Sequence, residues 1–302
     1  MLRLIEQQVQ DIQHTFRRLK RSRGFSAAAL LLMTIGIGAS TLIFTVADAL
    51  LLRPLPVSHP ETLVELFERY PNIRLQSYFD YPVYDAINQH SSTISAVIGQ
   101  LDITVPLERD ANSERAYVEM VTDNFLSALG VRTTLGRGFE AADDHAAVLS
   151  YDGWSRFFGR DTSVIGRPVR LGAHSFQVVG VTPEGFNGTS ADTSPDVFVP
   201  FRYIQDFSDD STFDQNRSHL EIIGRLNSGI SMEQAREEID ALWQHNRRSN
   251  RGTERQTRLE LQSVEFGSSI VRQQFRTALL LVLPDAWNWR PPANQQWYCR
   301  IS

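Results

Sequence analysis

One cysteine, Cys299, and one lysine, Lys20, occur in the 302 residues of this chain. A lone cysteine allows no intrachain disulfide, so any folded region has to be held by its apolar core. Lys20 does not lie in a glycine-rich turn, so there is no phosphate-cradling G-x-x-x-x-G-K-S/T loop. No lysine after residue 20 is available for a Schiff base or a Ser–Lys nucleophile. The sequences G-x-S-x-G and H-E-x-x-H are absent as well. A net charge of −5 gives no overall attraction to nucleic acid. The histidines, at His14, His59, His90, His145, His174, His219 and His245, show no ligand spacing. Asp143-Asp144-His145 reads as a solvated loop, because adjacent loop residues seldom converge on one ion. Glu237, Glu238 and Asp240 share a helix with Arg236 and read as its wet face. The residues thus supply no catalytic, cofactor-binding or metal-ligating set.

What the chain does have is a long uncharged run. From Ala27 to Ala47 the twenty-one residues AAALLLMTIGIGASTLIFTVA carry no charged side chain. As a helix this run spans about 31 Å, the hydrocarbon thickness of a bilayer. Leu30, Leu31, Leu32, Ile35, Ile37, Leu42, Ile43, Phe44 and Val46 together favour insertion by roughly 3–5 kcal/mol. Arg17, Arg18, Lys20, Arg21 and Arg23 crowd its leading flank, whereas Arg53 alone precedes Glu61, Glu65 and Glu68 on the other. That excess sets the topology, with the N-terminus cytoplasmic and the body outside. Ala47-Asp48-Ala49 has the form of a signal-peptide cleavage site, but the apolar run exceeds a signal's usual length and favours an uncleaved anchor. Upstream, Leu2, Ile5, Val9, Ile12, Phe16 and Leu19 recur at spacings of three and four. They form one apolar stripe, suited to the headgroup plane or to a partner protein. Gly36 and Ser40 stand four apart on one helix face, and Gly38 thins the adjoining surface, a spacing that lets membrane helices pack closely.

Beyond the run, short strands and isolated helices predict an α+β class: a transmembrane helix followed by a mixed α/β domain outside the membrane. Strands are expected at Leu63–Phe67, Ala96–Leu107, Arg115–Val121, Ala146–Leu149, Pro168–Leu171, Phe176–Val181, Val197–Pro200, His219–Leu226 and Leu259–Val264. Helices are expected at Tyr81–Asn88, Asn124–Leu129 and Trp154–Phe158, and at Met232–Trp243 behind a Ser231 cap. Gly172-Ala173 marks a turn, and Asp206–Arg217 reads as an exposed polar loop.

Several of these segments, in order, resemble a known family. Arg17-Arg18-Leu19, Arg23-Gly24-Phe25-Ser26, Ile35-Gly36-Ile37-Gly38-Ala39 and Leu51-Leu52-Arg53-Pro54-Leu55-Pro56 are similar to the entry of MacB/FtsX-type ABC transporter permeases. The resemblance is greatest to those with a large MacB-like periplasmic core domain. Asn124-Phe125, Leu129-Gly130-Val131, Gly136-Arg137, Val178-Val179-Gly180-Val181-Thr182-Pro183, Asp196-Val197-Phe198-Val199-Pro200 and Gly224-Arg225-Leu226 continue the likeness to about Phe275.

The resemblance implies four parts. They are a cytoplasmic amphipathic and basic helix at 1–24, the transmembrane helix at 25–52, the periplasmic core domain at 53–275, and an aberrant tail at 276–302. The tail begins as a second membrane helix at Thr277–Leu283, then meets Pro284-Asp285, so a chain truncated after the core domain is expected. The implied role is a non-catalytic permease subunit of an ABC transporter in the inner membrane, or a truncated remnant of one. It would couple ATP-driven helix motion to the periplasmic domain in export or efflux. ATP would sit on a separate ATP-binding subunit, with no cofactor on this chain. Other implied partners are the bilayer, a second permease copy and an envelope partner or substrate, and no nucleic acid. A single-pass anchored binding or sensor protein without transport activity is the other reading of the same residues.

Overall fold

The computed structural model describes residues 23–47, 54–69, 75–109, 112–190, 193–207, 219–250 and 258–268. The chain divides into two units, Met1–Arg53 and Pro54–Ser302. The stripe at 2–19, the basic residues Arg17, Arg18, Lys20 and Arg21, and the tail from 276 lie outside the described residues.

In the first unit one helix, α1 (Arg23–Ala47), runs for 25 residues. The hydroxyls of Thr34, Thr41 and Thr45 each donate to the carbonyl four residues back, at 2.8 Å. The helix therefore satisfies these polar groups internally. Leu30, Leu31, Leu32, Met33, Ile35, Ile37 and Leu42 are all exposed. No helix among the described residues is long and apolar enough to cross a membrane.

The second unit is α+β, as expected. Its strands are β1 (Leu63–Arg69), β2 (Tyr78–Asp80), β3 (Ile94–Arg109), β4 (Asn112–Val121), β5 (Leu135–Gly136), β6 (Ala146–Leu149), β7 (Pro168–Leu171), β8 (His174–Val181), β9 (Val197–Pro200), β10 (His219–Leu226) and β11 (Arg258–Ser263). They form one sheet in the order β11-β1-β10-β3-β4-β9-β6-β8-β5, with β2 beside β10 and β7 beside β3 and β8. Pairing is antiparallel except at β4/β9 and β6/β8.

Helices cover the sheet because most strands are apolar on both sides, and period-2 alternation sends adjacent residues to opposite faces. Val64, Val97, Met120, Ala147, Val178, Val199 and Ile222 belong to one buried cluster, while their neighbours Leu63, Ile98, Val121, Val148, Val179, Phe198 and Ile223 belong to another. The first face is covered by α2 (Tyr81–His90), α4 (Tyr151–Phe158), the 3-10 helix Phe201–Phe207 and α5 (Met232–Asn250). The second is covered by α3 (Phe125–Leu129), Leu55, Val57 and Phe186. Alternation slips in β3, where Arg225 pairs with Ala96 but Leu226 with Ile94, and again in β8. Ala147 pairs with Val178 but Val148 with Gly180, so Val179 is a bulge and Val181 returns to the first face.

Local signals fix the helix ends. Ser231 Oγ accepts from Gln234 N while Gln234 Oε1 accepts from Ser231 N at 2.9 Å, a reciprocal cap. The helix it opens extends past Trp243 to Asn250. Ser150 Oγ caps α4 by accepting from Gly153 N at 2.9 Å, and α4 starts at Tyr151 rather than Trp154. Asp206 is not in a loop but in the 3-10 helix, and 208–218 lie outside the described residues.

Candidate functional site

The residues singled out for membrane topology and packing all belong to the first unit. Arg23 opens α1, and Gly36, Gly38 and Ser40 lie in its middle. A Cβ added at Gly36 or Gly38 would meet nothing within 4 Å.

Two polar clusters in the second unit were not expected. One lies on the second sheet face, where alternation places Glu65, Gln100, Asp102, Glu119 and Glu221. Register sets Glu221 opposite Gln100 and Asp102 opposite Glu119. Glu65 and Glu119 are 1% and 2% exposed. Gln100 Nε2 donates to Glu221 at 3.1 Å, and Thr189 Oγ1 donates to Gln100 at 2.6 Å. Both Glu65 oxygens and Glu119 Oε2 have no hydrogen-bond partner among the described residues. Burial pushes the Glu65 carboxyl well above the usual range, and the Glu221 charge adds to it. Ser268 lies close enough to temper this rise, though outside hydrogen-bond geometry. Burial likewise raises Glu119, with Asp102 and Glu221 contributing. Burial raises Glu221 too, against the hydrogen bond from Gln100. Among the described residues, the oxygens of these groups do not converge as metal ligands.

Convergence of that kind occurs once among the described residues, at His145, His174 and Asp206, where three ligand atoms lie within 4.8 Å of one another. His145 Nε2 is 3.0 Å from Asp206 Oδ2, and His174 Nδ1 is 3.8 Å from the same oxygen. His145 Nδ1 lies 2.7 Å from Asp144 Oδ1. Asp143 turns elsewhere, to Arg137 at 2.5 and 2.8 Å. Sheet order assembles the cluster: His145 immediately precedes β6, His174 opens its parallel neighbour β8, and Asp206 follows β9 on the other side of β6. No sequence spacing signals this, because the three residues meet only through the strand crossovers. The His145 ring stacks on Tyr203 at 4.5 Å and lies 5.3 Å from Phe176. Its backbone N–H donates to Tyr203 Oη at 2.8 Å, and its carbonyl accepts from Gln177 N at 2.7 Å.

Residues 26–242 match the MacB-like periplasmic core domain family. The chain belongs to that family. The MacB-like core domain is also evident in solved structures, at identities that speak for fold alone. The periplasmic region of MacB from Actinobacillus actinomycetemcomitans aligns with a TM-score of 0.54 at 13% identity, over 73% of this chain and 94% of that one. A domain of a putative permease from Porphyromonas gingivalis gives 0.55 at 16%, over 73% and 98%. The extracellular domain of the noncanonic ABC-type transporter YknZ from Gram-positive bacteria gives 0.51 at 16%, over 66% and 99%. A curated relative is the macrolide export ATP-binding/permease protein MacB 1/2 of Paracoccus denitrificans (strain Pd 1222). It is 27% identical over 120 residues, which is 38% of this chain and 17% of the relative's length. The matched region thus spans a small part of that relative.

Proposed function

We propose that α1 crosses the inner membrane with its basic flank in the cytoplasm, and that the MacB-like core domain stands outside as part of an ABC-type export permease. In this reading the chain is non-catalytic. A separate ATP-binding subunit drives membrane-helix motion, which the core domain transmits to an envelope partner or substrate. Gly36 and Ser40 give α1 a flat face for a second membrane helix, from another permease copy or another segment. The observation that carries the proposal is the pairing of two features in one chain. A 25-residue helix with internally satisfied hydroxyls precedes a domain of the MacB-like fold.

Affinity purification of the full chain from detergent-solubilised membranes tests the transporter assignment. An ATP-binding subunit is expected to co-purify. A folded, membrane-extracted chain that brings down no ATPase contradicts the permease reading and favours a single-pass anchored binding or sensor protein.

A further inference from the structure

We propose that His145, His174 and Asp206 form a binding site for a divalent first-row transition-metal cation, zinc above all, using His145 Nε2, His174 Nδ1 and one Asp206 carboxylate oxygen. Two imidazoles and a carboxylate are a donor set suited to zinc and its neighbours. Bonds of about 2.0–2.1 Å place adjacent ligand atoms about 2.9 Å apart at right angles and about 3.4 Å apart at the tetrahedral angle. The 3.0 Å separation from His145 Nε2 to Asp206 Oδ2 already lies in that range, and the 3.8 Å separation to His174 Nδ1 lies a few tenths of an ångström beyond it. All three ligand atoms lie within 4.8 Å of one another, so binding would draw the His174 ring inward.

The hydrogen bonding of His145 points the same way. Its two ring nitrogens face carboxylate oxygens, Asp144 at 2.7 Å and Asp206 at 3.0 Å. A neutral imidazole has one N–H. Given to Asp144, that N–H leaves the Nε2 lone pair directed at an acceptor, an arrangement that calls for a cation at Nε2. A ligating histidine that hands its other N–H to a carboxylate is the usual support of a metal site. The two carboxylates, Asp144 and Asp206, would also balance the charge of a divalent ion. The alternative is a second proton on His145, which would make it an imidazolium between two carboxylates.

The site is both held and open. His145 adopts φ 46°, a left-handed conformation that non-glycine residues seldom take and that surrounding contacts must maintain. The stack on Tyr203 and the backbone bonds described above supply those contacts. The side chains of His145, His174 and Asp206 remain 37%, 40% and 25% exposed. A cavity of about 390 Å³, lined in part by Asp144, His145, Ser175 and Gln177, opens beside them. Three protein ligands leave room for water or for a fourth ligand from a partner.

The test is titration of the chelator-stripped full chain in detergent with Zn²⁺, by calorimetry, and with Co²⁺, by visible absorption. One Zn²⁺ per chain is expected at this site, with the intense d–d bands of a four- or five-coordinate nitrogen–oxygen site for Co²⁺. His174→Gln and the isosteric Asp206→Asn should each weaken binding by more than about 100-fold. Asp144→Asn, which touches only the far ring nitrogen, should weaken it about tenfold. His90→Gln, outside the cluster, should leave affinity unchanged. Metal-free melting of each variant separates loss of a ligand from loss of fold, and the wild-type Co²⁺ spectrum needs no variant. Absence of wild-type binding, a spectrum like that of hydrated Co²⁺, or unchanged affinity in His174→Gln and Asp206→Asn would overturn the proposal in favour of the imidazolium.

Discussion

Glu238 Oε1 accepts from both the backbone N–H and the hydroxyl of Ser92, at 2.8 and 2.7 Å. Its other oxygen accepts from Ser91 Oγ at 2.7 Å, from Thr93 N at 3.0 Å and from the Thr93 hydroxyl. One carboxylate on α5 thus ties down the turn between α2 and β3. Glu238 is therefore not part of a wet helix face. Partial burial disfavours its charge, but the bonds from Thr93, Ser92 and Ser91 outweigh it and hold the carboxyl at about 2.

A carboxylate lowered in this way contributes stability above its ordinary value of 4.5, and the contribution is lost as pH falls toward about 2. Glu238→Gln is expected to cost about 1–2 kcal/mol at neutral pH, with solvent screening limiting the figure. Thermal melts from pH 7 down to acid should show the variant and wild type converging. A constant gap across that range would contradict the assignment.

The buried acids have the opposite sign. Glu65, Glu119 and Glu221 are raised by burial, so their favourable contribution is complete below 4.5 and is lost as pH rises through the raised values. Glu65→Gln should melt like wild type near pH 4.5 and above it at pH 8, by on the order of 1 kcal/mol. Parallel melting curves for the two proteins would show that Glu65 ionises freely.

Close backbone contacts give a sharper test of packing. A Cβ at Gly153, in α4, would lie 2.2 Å from the Asp196 carbonyl oxygen. That oxygen already accepts from Ser150 N at 3.0 Å, and the Asp196 carboxylate accepts from Tyr117 N at 2.9 Å and Arg156 at 3.0 Å. Gly153→Ala should therefore cost about 2–3 kcal/mol, since backbone must move. Gly138→Ala, where the nearest atom is Leu126 Cδ1 at 3.6 Å, should change stability little. Equal melting temperatures for the two variants would contradict the described approach of α4 to Asp196.

Much of this fold was legible in the sequence because local patterns and global packing agree. Ala146–Leu149, Pro168–Leu171, Val197–Pro200 and His219–Leu226 are strands with the expected bounds. They are apolar or alternating runs with turn residues beside them. Tyr78–Asp80 and Leu135–Gly136 escaped because three and two residues are too short to show a period. The polar clusters escaped for a different reason. Glu65 sits in the apolar run Leu63–Phe67, but nothing local shows that both faces of that strand are covered. His145, His174 and Asp206 meet because β6 lies between β8 and β9, an order set by non-local pairing. Glu238 was read as solvent-facing because it stands in a charged run with Arg236, Glu237 and Asp240. The loop it binds lies some 145 residues upstream.

The central claim is that α1 spans a membrane with the core domain outside, and accessible thiols test it most directly. In a Cys299→Ser background, single cysteines are placed at Gln7 and at the exposed Glu184. Spheroplasts are then treated with a membrane-impermeant maleimide. Glu184→Cys should label in intact spheroplasts, and Gln7→Cys only after permeabilisation. Labelling of Gln7→Cys in intact spheroplasts, or recovery of the chain in the soluble fraction, would contradict the account.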